Sequence, residues 1–127
     1  MAKSNLLKVQ KYMSRYTGIF KISTPVAVFQ PLMKDTLESC RFNVIYETGD
    51  YLMAREIPGN AAFHQLVTVE VLVDKTVVTD CEIHMSIVVK NEELPLHLDN
   101  HCHQVFGQIT QAIADANHWH LIEAVAG

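Results

Sequence analysis

Apolar and polar positions alternate most clearly over "TDCEIHMSIVVK" (79–90). Cys81, Ile83, Met85, Ile87 and Val89 fall on one side, Asp80, Glu82, His84, Ser86 and Lys90 on the other. A period of two is the pattern of a strand with one buried face. "QLVTVEVLVD" (65–74) repeats it, setting Val67, Val69, Val71 and Val73 against Thr68, Glu70 and Leu72. Upstream, "RFNVIYE" and "YLMAREI" flank "TGD", a short glycine-containing hairpin connection. Four successive strands with one covered face predict an antiparallel sheet.

Helical spacing appears in three places. "SNLLKVQKYMSRYTG" predicts a basic amphipathic N-terminal helix over about 4–17, with Ser4 as N-cap, a stripe of Leu6, Val9, Met13 and Tyr16, and Gly18 as its stop. "IFKIS" then reads as a short strand, and "TPVAVFQP" is limited by its two prolines. Pro31 opens a second helix, "PLMKDTLESC", with Met33, Leu37 and Cys40 on its stripe and Leu32 and Thr36 beside it. A third helix, capped by Asp99 or Asn100, carries Cys102, Val105, Phe106, Ile109 and Ile113, and "HWHLIEAV" closes the chain as a strand. The expected architecture is one α+β domain over 1–127: an antiparallel sheet of four to six strands with helices packed on one face, a two-layer sandwich.

Composition supports a packed core, with 49% apolar and 19% charged residues in 127. No apolar run exceeds five residues, against the roughly 20 a membrane-spanning helix needs. With no signal-peptide pattern at the start, the expected location is cytoplasmic. Cys40, Cys81 and Cys102 are odd in number, widely spaced and each on an apolar stripe, which predicts reduced, inward-facing thiols.

The net charge of −4 argues against a nucleic-acid partner. Its distribution is uneven. Residues 1–34 carry Lys3, Lys8, Lys11, Arg15, Lys21 and Lys34 with no acid, a net +6, while 35–127 hold four basic residues and all fourteen acids, a net −10. Complementary patches of this kind favour self-association. The basic helix, through Lys8, Lys11 and Arg15, has three uses open to it: packing on its own sheet, an acidic partner, or an anionic membrane surface. Trp119 reads as an anchor of the last strand or as an interface hot spot.

"HLDNHCHQVF" (97–106) sets three histidines and a cysteine within seven positions. On a helix His101 and His103 point about 200° apart and cannot grip one ion. His97, in the preceding loop, adds at most a second ligand beside His101, and Cys102 belongs to the buried stripe. The segment is therefore expected to be a helix start. His118 and His120 make the better pair, two apart on a strand, with His84 joining them if the strands are neighbours. His84, His97, His101, His118 and His120 are the metal candidates; no zinc spacing, phosphate loop or catalytic constellation accompanies them, so no cofactor and no enzyme chemistry are expected.

The expected function is a non-enzymatic protein-binding or assembly module, chaperone-like or regulatory, that forms a homo-oligomer. The outward strand face around Glu70, Glu82 and His84 and the basic helix would be its surfaces. One alternative is a carrier of small apolar ligands, its pocket between sheet and helices lined by Phe29, Tyr46, Met53, Met85 and Phe106. A second is a histidine-based metal-binding protein.

"MSRYTGIFKISTPVAVFQPLMKDTLESC", "NVIYETGDYLMARE" and "VVKNEELPLHLDNHC" resemble, over most of the chain, a small conserved cyanobacterial family of unknown function. That resemblance implies a cytosolic or thylakoid-associated setting and brings no site residues with it. The order of elements is also similar, more loosely, to the type III secretion chaperone-like fold, which implies dimers that bind other proteins.

Overall fold

A computed structural model describes residues 13–59, 61–76, 81–94 and 100–126. Along the chain run β1 (Ser14–Ser23), α1 (Phe29–Ser39), β2 (Phe42–Glu47), β3 (Tyr51–Glu56), β4 (Thr68–Val73), β5 (Glu82–Asn91), α2 (His101–Asp115) and β6 (His120–Ala126). One-turn 3-10 segments, Val26–Val28 and Phe63–Gln65, precede α1 and β4. The strands form one open antiparallel sheet in the order β2-β3-β4-β5-β1-β6.

Both helices deliver their stripes to one core. Phe29, Met33 and Leu37 of α1 and Cys102, Val105, Ile109 and Ile113 of α2 join Phe20, Ile22, Leu52, Val69, Val71, Met85 and Ile87 of the sheet. The architecture is thus the expected α+β two-layer sandwich, with six strands.

The helix expected over about 4–17 is corrected at its C-terminal end, where Ser14–Thr17 are already β1. Residues 1–12, with Lys8 and Lys11, lie outside the described residues. Tyr16, Gly18, Phe20 and Ile22 turn to the core and alternate with Arg15, Thr17, Ile19 and Lys21. This period of two is held by a ladder to β5 that runs unbroken from Ser14↔Asn91 to Ser23↔Glu82. Long-range pairing overrides the helical spacing of Met13 and Tyr16.

Gly18 is not a helix stop but a close approach within the strand. A Cβ there would lie 2.7 Å from Phe20 Cε2 and 3.3 Å from Phe106 Cζ. "IFKIS" is accordingly the second half of a ten-residue strand.

Helix α1 begins two residues before Pro31, which still occupies the first turn, where a missing N–H costs nothing. Its end carries no glycine. Arg41 instead adopts a left-handed φ of 68°, its N–H donating to the Glu38 carbonyl at 3.0 Å.

Cysteine placement differs from the inward expectation at one site. Cys102 is buried and Cys40 half-buried, but Cys81 is exposed. The strand begins at Glu82, so extending the alternation to Cys81 overshoots its edge.

The charge division is also partly neutralised internally. Lys21 lies 3.9 Å from Glu82 and Lys34 3.1 Å from Glu47, joining the acid-free segment to the acidic one. Among the described residues no helix is long and apolar enough to cross a membrane.

Candidate functional site

The histidine-rich segment resolves into a helix start built by two side chains. Asn100 has extended backbone and its Oδ1 accepts from the His103 N–H at 2.8 Å, an N-cap. Glu93, two residues beyond β5, covers the remaining amides: Oε1 accepts from Cys102 N–H at 2.9 Å and Oε2 from His101 N–H at 3.3 Å. Asn91 Nδ2 donates to the same carboxylate at 2.6 Å. Burial pulls the Glu93 pKa up, but the bonds from Asn91, Cys102 and His101 outweigh it and leave the carboxyl below its ordinary value. A carboxylate at the positive end of the helix dipole adds to this stabilisation.

His101 is taken up by the fold. Its Nε2 lies 2.9 Å from Glu56 Oε2, and Glu56 Oε1 also accepts from Val67 N–H at 3.0 Å, so this carboxylate joins α2 to the entry of β4. Cys102 points into the core, its Sγ 3.6 Å from the Val89 carbonyl. Burial, reinforced by Glu93 and Glu56, pushes its thiol pKa up to about 12, so it is a packed thiol rather than a nucleophile.

The other histidines do not converge. β1 separates β5 from β6, so His84 and His120 are not on neighbouring strands. His118 precedes β6 and turns toward α1, its Nε2 3.4 Å from Thr36 Oγ1. It therefore does not share a strand face with His120, which pairs with Ser23. His84 instead lies 3.0 Å from Glu82 on its own strand. His97 falls outside the described residues. Among the described residues no group of three or more metal-ligating side chains forms.

Trp119 is an anchor. It is 7% exposed, stacks on Phe29 with ring centres 6.1 Å apart, and donates from Nε1 to the Ile113 carbonyl at 2.9 Å. The indole therefore offers little surface to a partner. Arg15 does reach solvent, from the outward side of β1.

That outward side carries several half-exposed apolar residues. Since α1 and α2 share one face, no helix among the described residues covers the other. The register places Tyr51, Leu72, Ser86, Ile19 and Val125 in one row across β3, β4, β5, β1 and β6. Ile19 is 51% exposed, Leu72 43% and Val125 50%. In the adjacent row half-buried Met53 and buried Val88 flank Glu70.

The charges around the row are ordered. At one end Arg55, Thr68, Lys90 and Arg15 form a row; at the other, Glu82 pairs across with Ser23 and Glu123 with Lys21. Glu70 holds the middle, 2.6 Å from Lys90 Nζ and accepting from Tyr51 Oη at 2.8 Å. The bond from Lys90 outweighs burial and, with Tyr51 and Arg15, lowers the Glu70 pKa. Tyr51, partly desolvated and bonded to this carboxylate, is pushed up to about 12.

The five residues expected to line an apolar-ligand pocket do not meet. Phe29, Met85 and Phe106 pack on the helical side, while Tyr46 and its strand partner Met53 lie on the opposite face. A cleft of about 400 Å³ lies elsewhere, where Val26, Phe29 and Pro31 face Val73, Ile83 and His84 at the open end of the sheet.

No protein-family model, curated protein or solved structure matches this chain.

Proposed function

We propose that the protein is a non-enzymatic assembly module that binds protein through the face of its sheet opposite α1 and α2. One observation carries this reading: the row Tyr51–Leu72–Ser86–Ile19–Val125 crosses five strands, and its aliphatic members Leu72, Ile19 and Val125 are about half exposed. A monomer gains nothing from such a row, whereas a protein partner would remove it from water at about 25 cal/mol per Å². The chemistry on the helical side fits a structural role, since Glu93, Asn100, His101 and Cys102 are spent on holding α2 to the sheet.

The cleft beside Val26 and Pro31 supports a second reading, a carrier for a small apolar ligand, because its volume falls in the range of ligand sites. Native mass spectrometry of untagged chain separates the two. Two or more times the bare 14.3 kDa mass supports assembly. A reproducible surplus of a few hundred daltons per chain, on the order of one organic molecule, would reassign the protein to the carrier reading.

A further inference from the structure

We infer that the occupant of the sheet face opposite α1 and α2 is a second copy of this chain, docked face to face with its strands running opposite to those of the first. The inference rests on the assembly reading above and adds the partner and its orientation.

Size is the first argument. Five strands at about 4.8 Å spacing, over roughly eight residues of strand, present about 600 Å². Two copies would bury about 1,200 Å², the lower bound of specific interfaces. The aligned packing of two twisted sheets is also a common way of covering such a face.

Charge decides the orientation. A two-fold axis along the Leu72–Ser86–Ile19 row keeps each strand opposite its own copy but exchanges the ends. Lys90 and Arg15 of one copy then lie over Glu82 and its neighbours in the other. With the axis along the strands, Lys90 and Arg15 would meet their own copies, and like charges would oppose docking. Ion pairs within each chain, Lys90 with Glu70 and Lys21 with Glu82, leave the ends of opposite sign, because Arg15 and Arg55 add to one and Glu123 to the other.

Sedimentation equilibrium on the full chain and a set of variants tests this, with circular dichroism as the check on folding. Ile19→Glu sits on an exposed position and should raise the dimer dissociation constant by at least about tenfold. Arg15→Glu and Glu82→Lys should each weaken the dimer by about tenfold, and the double variant should regain most of the loss, since the pair is restored in reversed sense. A dimer tightened by Arg15→Glu would overturn the orientation, because only the end-matched docking predicts it. A dimer indifferent to all three variants would overturn the face while leaving self-association standing. A wild-type chain that stays monomeric at all concentrations would overturn the proposal. So would a monomer in which this face becomes reactive only when residues 1–12 are removed, which would assign the face to the chain's own N-terminal segment. A ligand mass in the native spectrum would instead count against the assembly reading itself.

Discussion

Substituting Glu93 by glutamine isolates the interaction that turns "HLDNHCH" into a helix start. Glu93→Gln keeps the size of the side chain and one carbonyl acceptor. It removes the charge and leaves one of the amides of His101 and Cys102, now bonded at 3.3 and 2.9 Å, without an oxygen acceptor. Loss of a cap-type bond costs about 0.5–2 kcal/mol, and loss of negative charge at a helix N-terminus about 0.3–1 kcal/mol. Together these place the expected destabilisation at about 1–2 kcal/mol near pH 7, or roughly 3–10 °C in Tm for a chain of this size.

The pH dependence has a definite sign. The Glu93 carboxyl is held below its ordinary value near 4.5, so its stabilisation is complete above that value and fades as pH falls through the lower folded-state value. Protonated glutamate and glutamine are nearly alike, so wild type and variant should converge in acid. Urea unfolding of both at pH 7 and pH 3 measures this. A difference below about 0.5 kcal/mol at pH 7, or one that persists unchanged in acid, would refute the capping role.

Four further outcomes follow from the packing. Gly18→Ala should destabilise by about 1–3 kcal/mol, because the added Cβ meets the buried Phe20 ring at 2.7 Å; thermal melts would detect it, and the ordinary stabilising effect of replacing glycine would contradict the close approach. Arg41→Gly should raise stability by about 1 kcal/mol by relieving a left-handed backbone, readable in the same melts. Trp119→Phe should cost about 1–3 kcal/mol through loss of the bond to Ile113, and as the single tryptophan it should emit in the blue-shifted range of a buried indole. In thiol titration of the native chain, exposed Cys81 should react first and Cys102 only on unfolding; prompt reaction of Cys102 would mean that α2 does not pack as described.

Legibility in the sequence followed the range of the forces involved. β4 and β5 are legible because their burial alternates along most of their length, with a break at Val88, and α2 because its stripe and its Asn100 cap are local. The first residues of β1 carry helical spacing because what decides them is distant: pairing with a strand some seventy residues away, and the rings over Gly18. The end of α1 carried no local mark, since Arg41 fills a position usually left to glycine. Glu93 carries no local mark of a cap, because it reaches the helix from eight and nine residues upstream, outside any capping-box spacing. Trp119 and His101 illustrate a related limit, for a residue type fit for binding is equally fit for packing until its neighbours are known. The face opposite the helices is implicit in alternating strands, but its row emerges only when the strand order and register bring Ile19, Leu72 and Val125 together. A deletion meant to remove the N-terminal segment should accordingly stop at residue 12, since β1 begins at Ser14.

The most direct measurement is sedimentation equilibrium of the wild-type chain beside Leu72→Glu, a substitution within the exposed row that leaves the helical core untouched. The account predicts a wild-type species of twice the 14.3 kDa chain mass and a folded, monomeric variant. Wild type and variant with the same mass at every concentration would contradict it.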